Sequence, residues 1–146
     1  MKYAISSCLM GVNCKYSGGN NRNAVLCAFM KDKEYLLVCP EVLGGLPTPR
    51  ACSEIVDDRV MNTCGEDVTR QFEEGARIAY EKILAFGADI VITQSRSPSC
   101  GKDIIYDGTF CGHLKPGNGK FVQLLMQKGI PAMDIEEFLQ NIIDAK

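Results

Sequence analysis

The chain has no tryptophan, one histidine (His113) and no two cysteines in Cys-x-x-Cys spacing, although eight of its 146 residues are cysteines. The missing Cys-x-x-Cys pairs exclude the local ligand patterns of zinc ribbons and bacterial ferredoxins. His113 lies in the turn-like stretch CGHLKPGNG, where a surface position is more typical than a metal ligand. A metal site in this chain therefore has to combine cysteines that are far apart in sequence.

Long apolar runs are also missing. No run approaches the roughly 20 residues that cross a bilayer, and the N-terminal MKYAISSCLMGVN lacks the apolar core of a secretory signal. The net charge of −2 argues against a broad positive surface for nucleic acid. We therefore expect a cytoplasmic protein without membrane attachment whose partner is a small molecule, and the sequence leaves the oligomeric state open. In that reducing compartment, cysteines serve metal binding or catalysis more often than disulfides.

Predicted strands and helices alternate along the chain, as is typical of α/β proteins with right-handed crossovers. The hydrophobic content of 46% over this length favours one core. We predict a single Rossmann-like three-layer domain over residues 1–146, with a mostly parallel sheet of about four strands. The predicted strands are residues 2–7, 35–38, 89–93 and 130–133, and the predicted helices are residues 24–30, 68–86 and 118–128 with a final helix from 135.

Turn and cap residues add detail to this prediction. A hairpin that turns at Asp107-Gly108 is expected within residues 104–110, and residues 55–62 are expected to form either a short extended piece or a hairpin near Asp57-Asp58. The predicted caps are Asp67 and Gly87 for the helix 68–86, and Asp134 with Glu137 as a capping box for the last helix.

Four cysteines lie where apolar runs give way to loops rich in glycine and proline. These are Cys8 and Cys14 in ISSCLMGVNCKYSGG, Cys39 in YLLVCPEVLGG and Cys100 in DIVITQSRSPSCG. In open parallel sheets, ligands bind beyond the carboxyl ends of the strands, near the point where strand order reverses. Three thiolates at strand ends can hold a cubane iron–sulfur cluster and leave one iron open, whereas four would close the site. The alternative interpretation is that these cysteines are small buried hydrophobes.

Other polar and aromatic residues in the same loops are candidates for substrate chemistry. Glu41 follows Cys39 by two residues and is placed to move protons near the proposed centre, or else to pair with Arg50. The hydroxyls of Ser97 and Ser99 can bind a substrate heteroatom or satisfy local backbone groups. Tyr16 can stack on a planar ring, although packing against a turn is its more common role.

Five segments, in order, closely resemble a short bacterial family catalogued as domain of unknown function 523. They are SSCLMGVNCKYSGG, VCPEVLGGLPTPR, GEDVT, SPSCG and YDGTF. The resemblance extends from residue 3 to about residue 133. Members of this family include thiouracil desulfidases, which use a [4Fe–4S] cluster held by three cysteines to remove sulfur from a thiolated pyrimidine without net redox change.

The resemblance implies roles for particular residues of this chain. Cys8, Cys39 and Cys100 would be the cluster ligands, with Cys14 as a nearby substrate-binding thiol or the rival ligand. Glu41 would be the acid/base residue and Ser97 would position substrate and help proton delivery, while Ser99 and Tyr16 would contribute to substrate binding. The expected reaction converts a thiolated nucleobase such as 2-thiouracil into uracil and hydrogen sulfide.

Two alternatives from other functional classes remain at this point. In the first, Cys8, Cys14, Cys39 and Cys100 close a structural Cys₄ zinc site in a binding module. In the second, the chain is a thiol redox sensor, which requires an exposed cysteine of low pKa near a resolving partner.

Overall fold

The computed structural model describes residues 1–145. In chain order, the strands are β1 (Lys2–Ser6), β2 (Glu34–Val38), β3 (Ser53–Val56), β4 (Arg59–Asn62), β5 (Ile90–Thr93), β6 (Ile104–Tyr106), β7 (Leu114–Pro116) and β8 (Ala132–Asp134). The α-helices are α1 (Ala24–Met30), α2 (Pro40–Leu43), α3 (Thr69–Phe86), α4 (Lys120–Gln127) and α5 (Ile135–Asp144), and a short 3₁₀ helix covers Ser7–Met10. Within residues 1–145, none of the helices has the length and apolar character needed to cross a membrane.

A parallel four-stranded sheet with the order β2-β1-β5-β8 forms the middle layer. Alternate residues of its central strands face opposite sides, because side chains alternate along a strand. Ala4 and Val91 pack against α3 and α4, whereas Ile5 and Ile92 pack against α1 and α5. The sheet is therefore covered by helices on both faces, which confirms the predicted three-layer α/β fold with about four parallel strands.

The short helix α2 lies against α3 with almost no space between the two backbones. A Cβ atom added to Gly75 would overlap the carbonyl of Pro40, and one added to Gly44 would overlap the carbonyl of Gln71. Pro40 occupies the first turn of α2, where its fixed φ suits helix initiation. This contact fixes the position of Cys39 immediately before α2, at the end of β2.

The two small hairpins differ in how well sequence predicted them. β3 and β4 pair around Asp57 and Asp58, which both have positive φ, as the Asp-Asp turn predicted. The hairpin predicted within residues 104–110 is wrong in its second strand, because β6 pairs with Leu114–Pro116. Asp107 and Gly108 instead open the loop 107–113. The backbone N–H groups of Gly108 and Phe110 donate to the carboxylate of Glu54, so side-chain acceptors replace the tight turn.

The predicted ends of α3 and the predicted start of α5 agree with the structure to within one or two residues. Asp67 accepts from the backbone N–H of Thr69 at 2.9 Å, and Gly87 ends α3 with φ of 80°. At α5, Asp134 accepts from the N–H of Glu136 at 2.8 Å. The partner predicted for the capping box, Glu137, lies 3.6 Å from Lys102 instead. Asp134 is thus the N-cap acceptor of α5 that the sequence predicted, with an ion pair in place of the reciprocal bond. At α3 the N-cap is Val68, which makes no side-chain bond, and Asp67 binds the first helical N–H group from one position earlier.

Candidate metal centre

A cavity of about 410 Å³ opens beyond the carboxyl ends of β1, β2 and β5. The chain runs from β1 out to β2 and then crosses to β5 on the other side of β1, so the cavity lies at the point where strand order reverses. All eight residues that the sequence analysis selected for the site line this cavity: Cys8, Cys14, Tyr16, Cys39, Glu41, Ser97, Ser99 and Cys100. The structure therefore brings them together, and their individual roles stay predictions.

The loop after β1 folds back on itself around Cys8. The backbone N–H of Asn21 donates to the carbonyl of Cys8 at 2.9 Å, and the Asn21 side-chain amide donates to the Cys8 sulfur at 3.6 Å. Lys15 Nζ donates to the side-chain oxygen Oδ1 of Asn21 at 3.0 Å. The lysine thereby orients the Asn21 amide so that its N–H group points at the Cys8 sulfur. Hydrogen bonds of this kind to a thiolate ligand adjust the reduction potential of an iron–sulfur cluster.

The thiols of Cys8, Cys14 and Cys39 lie close enough together to shift one another's pKa values. Hydrogen bonding from Cys14 lowers the pKa of Cys8, and it lowers the pKa of Cys39 to about 7 against the cost of burial. The same bonds raise the pKa of Cys14, which keeps its proton. Cys100 differs, because burial raises its pKa to about 12 although the hydroxyls of Ser6 and Ser99 oppose the shift. The lowered pKa values of Cys8 and Cys39 favour the thiolate form that binds metals.

The donor set at this edge of the sheet fits an iron–sulfur cluster. All eight cysteines are free, and Cys8, Cys14 and Cys100 are each less than 10% exposed. Among residues 1–145, no three His, Cys, Asp or Glu side chains are grouped to ligate a single metal ion. A cluster spreads its thiolates over several irons, and the N–H and O–H groups that approach Cys8 and Cys100 suit its sulfur ligands.

Glu41 lies in the cavity wall and is paired with Arg50, as one of the two interpretations from sequence expected, while its role in proton transfer stays a prediction. Arg50 Nε and Nη2 each lie 3.1 Å from Glu41 Oε1, and both side chains are largely buried. Arg50 Nη2 also donates to the carbonyl of Cys14 at 2.9 Å, while its backbone N–H donates to the carbonyl of Tyr16. One guanidinium therefore fixes Glu41 relative to the first cysteine loop.

A series of hydroxyls connects Glu41 with Cys100. Ser99 Oγ donates to Glu41 Oε2 at 2.8 Å and lies 3.7 Å from the Cys100 sulfur. Ser97 Oγ lies 3.3 Å from Ser99 Oγ and accepts from the backbone N–H of Cys100 at 2.7 Å. Protons can move along this chain of hydroxyls between the carboxylate and the sulfur-lined end of the cavity.

Lys15, Asn21 and Glu54 are polar residues of the cavity wall that the sequence analysis did not select. The asparagine-rich stretch NNRN was a signal for local side-chain-to-backbone bonding near Cys8. The single acidic residue inside the strand-like segment SEIV was the signal at Glu54, since charged residues are seldom buried without a reason.

Comparisons with known proteins agree with this geometry. Residues 4–137 match the profile of the family described as 2-thiouracil desulfurase. The protein YbbK of Bacillus subtilis (strain 168) is 37% identical over 137 residues, which cover 86% of this chain and 89% of YbbK. A solved structure, described as the [4Fe-4S]-dependent thiouracil desulfidase TudS (DUF523Vcz), matches with a TM-score of 0.89 and 35% identity over 99% of this chain and 97% of that chain.

Proposed function

The chain belongs to the 2-thiouracil desulfurase family, and we propose that it is a [4Fe–4S]-dependent desulfidase that converts a thiolated nucleobase such as 2-thiouracil into uracil and hydrogen sulfide. The resemblance found in the sequence motifs is confirmed by the family match and by the likeness to TudS. The observation that carries the proposal is the gathering of four free thiols, Glu41 and two serine hydroxyls in one cavity at the switch point of the sheet.

Cys8, Cys39 and Cys100 are the proposed cluster ligands, because each follows a different strand of the sheet. The lowered pKa values of Cys8 and Cys39 support thiolate ligation at these two positions. Cys14 is the remaining thiol of the cavity and is proposed to contact the substrate. When bound, the cluster supplies a Lewis-acidic iron that polarises the C=S bond of the substrate.

Glu41 is proposed to activate the attacking water. Arg50 occupies Glu41 Oε1 and fixes the orientation of the carboxylate, while Oε2 faces Ser99 within the cavity. A water that Glu41 deprotonates adds its oxygen to the thiocarbonyl carbon. Ser99 and Ser97 then pass protons toward the departing sulfur. The balance is complete without an oxidant or reductant, since the water oxygen stays on carbon and both of its protons leave as hydrogen sulfide.

The remaining contacts concern the substrate and the setting of the enzyme. Tyr16 is 46% exposed at the cavity wall and is proposed to cover a planar ring. The proposed partner is a small thiolated pyrimidine, and the proposed location is the cytosol, where free cysteines persist. The single domain over residues 1–146 is likewise a proposal.

Anaerobic reconstitution followed by assays for uracil and sulfide tests the function. We expect a protein that contains iron and acid-labile sulfide and that releases uracil and sulfide in equal amounts from 2-thiouracil. A fully loaded protein that turns over no thiopyrimidine would refute the substrate assignment. A colourless protein with one zinc and no labile sulfide would support the structural zinc site instead.

A further inference from the structure

A second glutamate, Glu54, lies in the wall of the same cavity and has no role in the mechanism above. It is carried by β3 and is only 6% exposed. The hairpin of β3 and β4 and the loop 107–113 form this part of the wall, to which Tyr106 and Gly112 also contribute. A carboxylate in such a place is costly unless hydrogen bonds compensate for its lost solvation.

Only one of the two Glu54 oxygens is used within the part of the chain that the structure describes. Oε1 accepts from the backbone N–H groups of Gly108 at 3.0 Å and Phe110 at 3.1 Å. Oε2 has no hydrogen-bond or ion-pair partner among residues 1–145. No fully buried side-chain nitrogen or oxygen in those residues lacks a partner, so Oε2 is open to solvent. Glu54 is one of the residues that line the cavity, which makes its oxygen without a partner the candidate for a ligand contact there.

The other carboxylate of the cavity already has a partner at each oxygen, although Glu41 Oε2 keeps a second lone pair for the attacking water. Glu41 Oε1 is held by Arg50 and Glu41 Oε2 by Ser99. Among residues 1–145, Glu54 Oε2 is thus the oxygen of these two carboxylates that has no hydrogen-bond partner. A carboxylate selects hydrogen-bond donors, and a thiolated pyrimidine presents ring N–H groups on either side of a 2-thiocarbonyl.

We propose that Glu54 is a specificity-determining residue that accepts a hydrogen bond from a ring N–H of the substrate. This inference rests on the proposed function and adds a requirement to it, since the substrate must keep a free N–H at the ring position that faces Glu54. A charge-assisted bond of this kind is stronger than one between neutral groups. A buried site built to accept from an N–H also rejects an analogue that lacks it, because the acceptor is then left unpaired.

A purely structural role for Glu54, as a clamp on the loop 107–113, makes a different prediction. The substitution Glu54→Gln separates the two roles. The amide oxygen of glutamine can still accept from Gly108 and Phe110, which preserves the clamp. Its NH₂ group replaces Oε2 and donates, so it opposes a substrate N–H instead of accepting from it.

The test compares the binding and turnover of 2-thiouracil with those of its 1-methyl and 3-methyl derivatives, which are isomers of each other. The cluster-loaded protein is used throughout. Dissociation constants from anaerobic calorimetry and kcat/KM values are measured for the wild type, for Glu54→Gln and for Glu73→Gln, which changes an exposed glutamate on α3. Iron and sulfide contents establish that the three proteins carry equal amounts of cluster.

In the wild type, we expect one methyl isomer to bind at least about tenfold more weakly than the other, because its methyl group blocks the N–H that faces Glu54. Glu54→Gln should weaken the binding of 2-thiouracil and of the tolerated isomer by about tenfold or more. The dissociation constant of the blocked isomer should change by less than about twofold. Glu73→Gln should match the wild type with all three compounds.

Equal weakening of all three compounds by Glu54→Gln would overturn the proposal and leave the loop clamp as the role of Glu54. Unchanged binding would overturn it as well. Wild-type protein that binds 2-thiouracil without releasing uracil would refute the desulfidase function, while the dissociation constants would still decide the role of Glu54. Failure of a fully loaded protein to bind any of the three compounds would refute both.

Discussion

The hydroxyl of Ser99 donates a 2.8 Å hydrogen bond to Oε2 of Glu41, although 58 positions separate the two residues in sequence. Ser99 follows β5 and Glu41 follows β2, and β1 lies between these strands in the sheet. The bond therefore spans the strand that carries Cys8 at its end. It joins the proposed base to the loop that holds Cys100, and a change at either residue should affect the other.

Replacement of Ser99 by alanine removes the link between Glu41 and the sulfur-lined end of the cavity. We expect Ser99→Ala to lower kcat by about 10- to 100-fold, since positioned proton transfer contributes on that scale or more. Cluster content should not change. The uracil and sulfide assays measure this effect, with Ser53→Ala as the control in the same cavity wall. Wild-type turnover by Ser99→Ala would exclude the proton path.

The guanidinium of Arg50 connects Glu41 to the first cysteine loop, because it also donates to the carbonyl of Cys14. Arg50→Met leaves the largely buried Glu41 carboxylate without its partner, and loss of one member of a buried pair costs about 3–5 kcal/mol of unfolding free energy. Arg50→Lys should recover only part of the loss, because a single ammonium cannot reproduce the planar set of donors. Urea unfolding of the cluster-free protein provides the measurement.

Arg59→Met is the matched control for Arg50→Met. Arg59 pairs with Asp67 at 2.9 Å, but both side chains are well exposed to solvent. Solvent screens exposed pairs, so the unfolding midpoint should move little. Similar losses of unfolding free energy in Arg50→Met and Arg59→Met would show that burial is not the reason why Arg50 stabilises the fold.

The cluster content of alanine variants should distinguish the ligands among the four cavity thiols from the thiol that is not a ligand. We expect Cys8→Ala, Cys39→Ala and Cys100→Ala to lose most of their iron and labile sulfide after anaerobic reconstitution, because each removes one of three ligands. Cys14→Ala should retain the cluster, and so should Cys64→Ala, which changes an exposed cysteine. If Cys39→Ala retained the cluster and Cys14→Ala lost it, Cys14 would be the ligand and Cys39 the thiol that contacts the substrate.

The cluster-free protein should show a pH-dependent reactivity at Cys39. Its pKa is lowered to about 7 by hydrogen bonding from Cys14, so the thiolate fraction rises as pH increases through about 7. Iodoacetamide labelling followed by peptide mass spectrometry should show Cys39 modified well below the pH that an ordinary thiol requires. Cys100, with burial and a pKa of about 12, should stay unlabelled.

The variant Cys14→Ala checks the cause of this reactivity. Without the hydrogen bond from Cys14, the pKa of Cys39 should return toward its ordinary value of 9.0, and labelling should shift to higher pH. An unchanged labelling profile would mean that another group, such as Arg50, lowers the pKa of Cys39.

The contact between α2 and α3 should not tolerate a methyl group. Alanine normally stabilises a helix by about 1 kcal/mol relative to glycine. Gly75→Ala should instead lower the unfolding free energy by about 1–3 kcal/mol and reduce cluster uptake, because its Cβ would push Pro40 and the adjacent Cys39 away. Gly19→Ala, where the nearest neighbour of the added Cβ is Ser17 Oγ at 3.5 Å, is the control. Equal stability of the two variants would contradict this account.

The layers and the location of the site could be predicted because local signals mark the strand ends. Pro40 stops the strand before Cys39, and the SPSCG loop follows a buried β-rich run, so both cysteines lie where a parallel sheet exposes its carboxyl edge. The hydrogen bonds of Glu54 could not be predicted in the same way. Its partners Gly108 and Phe110 lie 54 and 56 positions away, and no local pattern encodes their meeting. Those contacts also displaced the hairpin that the Asp107-Gly108 turn predicted.

The placement of the thiols on separate strand ends has a consequence for how the enzyme matures. Cys8, Cys39 and Cys100 approach each other only after β1, β2 and β5 have paired in register. The apolar clusters on the two faces of the sheet bury side chains such as Ile5 and Phe121 without help from an inorganic group. We therefore expect the chain to fold before the cluster is inserted, unlike a zinc finger, whose metal drives folding. Damage by oxygen should accordingly leave a scaffold that can be repaired and reused.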